Sequence, residues 1–167
     1  TREAMEHAIA FAETGYLVLT TLHANNANQA LDRMLHFFPE EARDQVLLDL
    51  SLNLRGIIAQ QLIARPDGNG RRSVLEILLN TPLAADLIAK GEVSKLKELM
   101  KRSTEQGMIT FDQALYHAYQ RGEISQEDAL HHADSANEVR LMIKLGDSRP
   151  GMRDRRHHHT AVNYQMD

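Results

Sequence analysis

The sequence predicts an α/β fold with an all-helical C-terminal layer, on the strength of three observations. A short apolar run, Tyr16 to Thr21, separates a helical segment from a polar elbow, which is typical of a buried strand. Two β-like runs flank a dense set of turn formers from Pro66 to Gly70, which indicates a β-hairpin. From Thr81 onward the apolar spacing is helical throughout. We therefore expect strands and a hairpin first, and helices after them.

Composition describes a globular chain of one to one and a half domains. The 167 residues are 43% hydrophobic and 25% charged, which suffices for a core and fits neither a disordered nor a membrane protein. There is no cysteine, which excludes a disulfide framework and thiolate metal sites and fits a reducing cytoplasm. A net charge of −4 argues against nucleic-acid binding as the default.

The first segment predicts a helix that leads into the strand. It carries Met5, Ala8, Ile9 and Ala12 on one face, and Gly15 follows as a C-cap. The chain opens inside this helix at Thr1, with neither an initiating methionine nor a signal peptide. We therefore expect a fragment of a longer protein.

The elbow (residues 22–26) is the candidate ligand site. Leu17 to Thr21 is short and apolar, so we expect it in a sheet covered on both faces. Loops after such strands bind ligands because backbone donors and short polar side chains meet there at a helix N-terminus. His23 is the imidazole that this argument places at a ligand. Asn25 or Asn26 caps the next helix, and capping alone and direct ligand contact both remain open.

Two helices and the hairpin follow. The first helix runs to about Phe37 and the second starts at Pro39, with an apolar stripe that reaches from Leu47 to Ile58. The predicted strands are Gln61 to Arg65 and Arg72 to Leu79, and both faces of the hairpin look largely covered.

Glu76 is a carboxylate within an apolar strand. Such a residue can be catalytic, but no partner acid lies at a meaningful spacing. We favour a salt-bridged strand residue over a catalytic one.

Five short amphipathic helices are predicted after the hairpin. Their start signals are Thr81 followed by Pro82, Thr110 with Gln113, Ser125 with Asp128, and Ser135 with Glu138. The charged side chains of Lys95, Lys97, Lys101 and Arg102 are expected to form a solvated face.

The histidine pairs and runs do not predict a metal site. Residues 147–167 lose periodicity, so we expect a disordered tail, and His157 to His159 within it lack a preorganised shell. His131 and His132 are neighbours on a helix and diverge by about 100°. The expected division is a core at 1–80, a helical subdomain at 81–146 and the tail.

Catalytic motifs are absent from the sequence. There is no GxxxxGK(S/T) loop, no serine or cysteine elbow, no HExxH and no acid pair at catalytic spacing. Taken from the residues alone, the chain combines an α/β core, one candidate ligand loop and a helical layer, which does not name a function.

Several blocks of the sequence nevertheless resemble one family. AETGYLVLTTLHANNANQALDRMLHFFP resembles the His box of secretion-superfamily ATPases. Together with FPEEARDQVLLDLSLNLRGIIAQQLI, EQGMITFDQAL and EDALHHADSANEVRLMIKL, it identifies the chain as a member of the type IV pilus retraction ATPases of twitching motility, and as more similar to the accessory PilU branch than to PilT. The resemblance covers residues 1–145.

The resemblance implies the C-terminal part of a RecA-like core in a hexameric ring that hydrolyses ATP to disassemble pili. His23 is then the His-box histidine near the γ-phosphate, and Asn25 is a further candidate for nucleotide contact. ATP and Mg²⁺ are the implied cofactors of the full-length protein, whose P-loop, acidic box and Walker B strand would precede Thr1. The implied partners are further copies, a second retraction ATPase and the inner-membrane pilus platform, with cytoplasmic localisation at that membrane.

One segment departs from the family pattern. Where PilT-type ATPases carry AIRNLI, this chain reads Leu83 to Ile88, with Ala85 in place of the arginine. The apolar face is kept and the basic contact is lost, which suits an accessory motor that depends on a partner ATPase.

Two functions therefore stay open. In the first, the chain is the C-terminal part of a P-loop motor ATPase and is inactive alone because it lacks the P-loop. In the second, it works as a non-catalytic interaction module that docks on a pilus-motor ring.

Overall fold

A computed structural model describes residues 1–147 of the chain, in which eight α-helices and one β-hairpin form. The helices are α1 (Arg2–Glu13), α2 (Ala27–Leu35), α3 (Arg43–Asn53), α4 (Pro82–Ala89), α5 (Leu96–Arg102), α6 (Phe111–Gln120), α7 (Gln126–His131) and α8 (Ala136–Asp147), and the strands are β1 (Gly56–Ala64) and β2 (Arg71–Leu79). The expected disorder beyond residue 147, with its three histidines, lies outside the described residues.

The prediction of five helices after the hairpin is confirmed, and the predicted start signals of α4, α6 and α7 act locally. Five α-helices follow the hairpin within the described residues. Thr81 accepts a hydrogen bond from the Ala84 N–H. It precedes Pro82, which has no backbone N–H and so leaves no donor to satisfy in the first turn of the helix. Thr110 and Gln113 form a complete capping box, and Ser125 caps α7 through the N–H of Asp128.

The hairpin is longer than predicted. β1 pairs antiparallel with β2 from Gly56 opposite Leu79 to Ala64 opposite Arg71. The prediction that Ile57 and Ile58 continue the preceding helix was wrong, because α3 ends at Asn53 and Leu54 is already extended. Glycine at position 56 suits this pairing, since a Cβ there would lie 2.8 Å from the carbonyl oxygen of Leu78.

Only one face of the hairpin is covered by other described residues. Ala59, Ile63, Val74 and Leu78 are buried on that face. On the opposite face Ile58 is 70% exposed, and Leu62 and Leu75 are also exposed. The prediction that both faces are covered was wrong, since helices pack on a single side.

The apolar run before the elbow does not form a strand. Residues 16–24 have no regular secondary structure, and Leu17 and Leu19 are 77% and 87% exposed. A strand exists only as part of a hydrogen-bonded ladder, and the one sheet of the described residues consists of β1 and β2. The predictions of a strand at Leu17 to Thr21 and of its burial were therefore wrong for this structure.

Two apolar clusters meet at the hairpin. The first joins α1, α2 and α3 to α4 and α5 and includes Leu78 of β2. The second packs α6, α7 and α8 against Ala59, Ile63 and Val74. The division of the chain at residue 80 stays a prediction. No helix of the described part is long and apolar enough to span a membrane.

Candidate functional site

His23 is exposed, in the segment of chain that joins α1 to α2. It lines a depression together with Ala24, Gln29, Asp32, Arg33, His36 and Phe37. Nδ1 of His36 lies 2.6 Å from the carbonyl oxygen of Asp32, which fixes that ring beside the depression. Arg33 and the two imidazoles supply donors suited to an anionic group, while Asp32 contributes an opposing charge.

The two asparagines of the elbow have different roles. Asn26 is the N-cap of α2, and its Oδ1 accepts a hydrogen bond of 2.9 Å from the Gln29 N–H. Asn25 is exposed, and its backbone N–H donates to Oε1 of Gln29 at 3.2 Å. Capping is thus confirmed for Asn26, whereas the side chain of Asn25 is not the cap. Asn25 is not among the residues that line the depression with His23.

The N-terminus of α2 is already occupied by protein groups. The Ala27 N–H donates to Oε1 of Glu76 at 2.8 Å, and the Gln29 N–H is bound by the cap. Our expectation that backbone donors of this helix would hold a ligand is therefore not met, because a phosphate would compete with a buried carboxylate. The side chains of His23 in the loop and Arg33 in α2 remain as possible contacts for an anion.

Glu76 caps two helices at once. Its side chain is fully buried, and its Oε1 accepts from α2 while its Oε2 accepts from the Phe111 N–H of α6 at 3.1 Å. A negative charge is favourable at each of these helix N-termini. Nζ of Lys97 lies 2.7 Å from Oε2, so the predicted salt bridge of Glu76 is confirmed. Sequence reasoning missed the double cap, for which the only local signal was an acid in an apolar strand.

Lys97 joins Glu76 to a second carboxylate. Its ammonium also contacts Oδ2 of Asp134, in the turn between α7 and α8, and its side chain is only 23% exposed. Burial by itself lowers the pKa of Lys97, but hydrogen bonds to Asp134 and Glu76 outweigh it and the pKa is raised. The predicted solvated face is wrong for Lys97 and for Lys101, whose ammonium binds Glu138 at 2.7 Å.

Two further residues complete this polar cluster (Asn26, Glu76, Lys97, Asp112 and Asp134). Nδ2 of Asn26 donates to Oδ1 of Asp134 at 3.3 Å. Asp112 accepts from the N–H groups of Asp134 and Ser135 at 2.8 and 3.1 Å, ahead of α8. Burial raises the pKa of Asp112 although these two N–H groups oppose the shift. The cluster therefore ties together the starts of α2, α6 and α8.

The capping box predicted for α8 forms only in part. The Glu138 N–H donates to Oγ of Ser135 at 3.4 Å. The Ser135 N–H, however, binds Asp112, and the Glu138 carboxylate binds Lys101 instead of returning to the cap. Asp112 and Lys101, which are distant in the sequence, thus replace the hydrogen bond between the Glu138 side chain and the Ser135 N–H.

The segment that departs from the family motif forms α4. Ala84, Leu87 and Ile88 are buried, which confirms the retained apolar face. Asp86 is exposed and pairs with Lys90 one turn later at 2.7 Å.

Comparisons with known proteins place these features in context. Residues 1–69 match the family described as Type II/IV secretion system protein. The Type IV pilus ATPase PilU of Pseudomonas aeruginosa is 72% identical over 145 residues, which are 87% of this chain and 38% of that protein. The Type IV pilus retractation ATPase PilT of the same organism is 35% identical over 122 residues, 73% of this chain and 35% of that protein.

Solved structures agree with the fold. The crystal structure of the pilus retraction motor PilT with bound ADP superposes with a TM-score of 0.75 at 34% identity, over 83% of this chain and 38% of that chain. The ATPase DotB of Legionella pneumophila gives a TM-score of 0.65 at 22% identity, which shows the fold alone. The predicted class, an α/β part followed by a helical layer, is confirmed. The chain spans under two fifths of the length of the PilU and PilT relatives that it matches.

Proposed function

Because this chain belongs to the PilT/PilU family of type IV pilus ATPases, we propose that it is the C-terminal part of an ATP-hydrolysing motor that retracts type IV pili. The observation that carries the proposal is 72% identity to PilU over 145 residues. In this proposal the full-length protein works as a hexamer at the cytoplasmic face of the inner membrane, together with a second retraction ATPase and the pilus platform.

His23 is the proposed sensor of the terminal phosphate. Its ring is exposed beside Arg33, and no hydrogen bond among the described residues engages it. A neutral imidazole can donate one N–H to a phosphate oxygen and lose that contact when the phosphate leaves. Bound ATP with Mg²⁺ would supply the phosphoanhydride bond that is cleaved. The donor set at the depression fits this group, since an imidazole and a guanidinium both bind phosphate oxygens.

Asn25 is a second proposed nucleotide contact. Its side chain is exposed two residues from His23, and its backbone is held by Gln29. An amide in this position can donate to a phosphate or sugar oxygen.

The test is a His23→Ala variant in a full-length protein that contains this sequence. We expect nucleotide affinity to change by less than about threefold and turnover to fall by about a hundredfold, because one donor aimed at developing charge is lost. His117→Ala, which removes an exposed imidazole on α6, is the matched control. Normal turnover and motility in the His23 variant would refute the sensor role.

The isolated 167-residue chain serves as a second control. It has no GxxxxGK(S/T) loop, so we expect no ATP hydrolysis above background. If the full-length protein also fails to hydrolyse ATP, the motor proposal is wrong and the interaction-module interpretation replaces it.

A further inference from the structure

The start of α2 is held by groups from two other parts of the chain, and a third part links those two groups. The Ala27 N–H binds Glu76 of β2, and the Asn26 side chain binds Asp134 of the turn before α8. Lys97 of α5 contacts both carboxylates. We propose that Glu76, Lys97 and Asp134 are positioning residues for His23, acting through the first turn of α2. This proposal rests on the proposed sensor role of His23.

The backbone between His23 and the cap is short and internally bonded. The Ala24 N–H donates to the carbonyl oxygen of Leu22 at 3.1 Å, and the Asn25 N–H donates to Gln29 within α2. Leu22 and Ala24 also pack against the first apolar cluster. Asn25, which follows His23, thus attaches the elbow to α2. Leu22 and Ala24, which flank His23, attach it to the core. A shift of the helix start therefore moves the backbone that carries the imidazole.

Lys97 links Glu76 and Asp134, the two carboxylates that bind the start of α2. Its single ammonium lies between Glu76, which is fully buried, and Asp134, which is partly exposed. Because Oε2 of Glu76 also accepts the first N–H of α6, the position of α2 depends on where α6 and the turn before α8 lie. The arrangement gives the C-terminal helices a direct polar connection to the elbow.

Asp134 is the residue whose substitution breaks this polar connection with the least effect on other contacts. Its side chain binds Asn26 and Lys97, whereas its backbone N–H and that of Ser135 stay bound to Asp112. Asp134→Ala therefore removes the link to Asn26, leaves the bond between Glu76 and the Ala27 N–H in place, and keeps the cap of α8. Glu98→Ala, which breaks an exposed ion pair with Arg102 on the helix that carries Lys97, is the matched control.

The first measurement is hydrogen exchange on the 167-residue chain without nucleotide. The N–H groups of Gln29 and Ala30 bond to Asn26, so they report on the start of α2. We expect Asp134→Ala to speed their exchange severalfold and Glu98→Ala to leave it unchanged. Equal exchange in wild type and Asp134→Ala would overturn the positioning role.

The second measurement is a double-mutant cycle in the full-length protein. With His23 present, Asp134→Ala is expected to lower kcat about three- to tenfold with little change in KM. In a His23→Ala background the same change should have no further effect, because the residue acts through the imidazole. Asp134→Asn, which keeps one acceptor, should restore part of the loss.

The outcomes separate the two proposals. An equal loss of kcat in both backgrounds, or no loss in either, overturns the positioning role. If His23→Ala alone leaves turnover normal, the sensor proposal fails, and the exchange experiment still decides whether Asp134 holds the start of α2.

Discussion

At the scale of single residues, Glu76 connects three helices, α2, α5 and α6. One buried carboxylate accepts hydrogen bonds from the first turns of α2 and α6 and from an ammonium. Its charge is tolerated in the core because all three donors come from groups that favour a negative partner. Removing it would leave two helix N–H groups and Lys97 without their shared acceptor.

We therefore predict that Glu76→Ala lowers the free energy of unfolding by about 3–5 kcal/mol, the range for breaking a buried ion pair. Urea denaturation followed by circular dichroism measures it. Glu98→Ala, on the surface, should change the same quantity by about 0.5 kcal/mol or less. A loss of under about 1 kcal/mol for Glu76→Ala would show that the carboxylate is not the anchor we describe.

Lys97 gives a prediction about pH. Its pKa is raised in the folded chain by Asp134 and Glu76 against the effect of burial, while Lys101, Asp112 and Glu138 lie in the same cleft. Below the unfolded value of 10.5 the lysine is protonated in both states, so its contribution to stability is constant. Above that value the unfolded chain binds fewer protons, and stability falls as pH rises through the folded pKa.

The check compares unfolding of wild type and Lys97→Met from neutral pH to above the unfolded lysine pKa. Wild type should lose stability more steeply at the alkaline end, because the variant lacks this titration. Parallel curves over the whole range would contradict the raised pKa.

At the scale of elements, the helices are defined by residues at their own first turns. The capping box of α6 is the clearest case, since Thr110 is buried and its Oγ1 accepts the Gln113 N–H while the Gln113 side chain accepts the Thr110 N–H. Both partners lie within four residues of each other. Such a motif can close through local hydrogen bonds alone when, as at α6, no distant side chain takes the place of one of its partners.

Thr110→Ala should accordingly destabilise the chain by about 1–2 kcal/mol, the usual cost of losing an N-cap. Thermal unfolding detects this as a lower Tm. Thr110→Ser keeps the acceptor and should recover most of the loss, whereas Thr104→Ala, at an exposed position, should have no measurable effect. If Thr110→Ser were as unstable as Thr110→Ala, packing of the threonine methyl group and not the cap would be responsible.

At the scale of the whole molecule, two groups stand out among the exposed apolar side chains of the described residues. One is the run before the elbow, with Leu17 and Leu19, and the other is the open face of the hairpin, with Ile58 and Leu62. Exposed apolar groups of this extent favour association with other apolar surfaces.

Replacing Leu17 and Leu19 together by serine should reduce self-association of the chain at high concentration, as measured by light scattering. Because both side chains are exposed, unfolding stability should change by about 0.5 kcal/mol or less. A large loss of stability would show that the run is packed more tightly than the structure describes, and unchanged scattering would exclude it as the associating surface.

The family, the helix starts and the hairpin turn could be predicted from the sequence. Capping motifs and turn residues act through hydrogen bonds to partners a few positions away, so the local sequence is sufficient to predict them. The sequence also indicated the His23 loop as a candidate site, through its motif and its position before α2. Its role at a nucleotide stays a prediction.

Only the tertiary structure decided how Glu76, Lys97 and Asp134 meet, because residues 21 and 37 positions apart are brought together by packing and not by local spacing. It also decided that the run at Leu17 to Thr21 is no strand and that one face of the hairpin is open. A strand needs a ladder partner and an apolar face needs a covering layer. Neither is a property of the segment itself, so β-propensity and alternation could suggest these features but could not establish them.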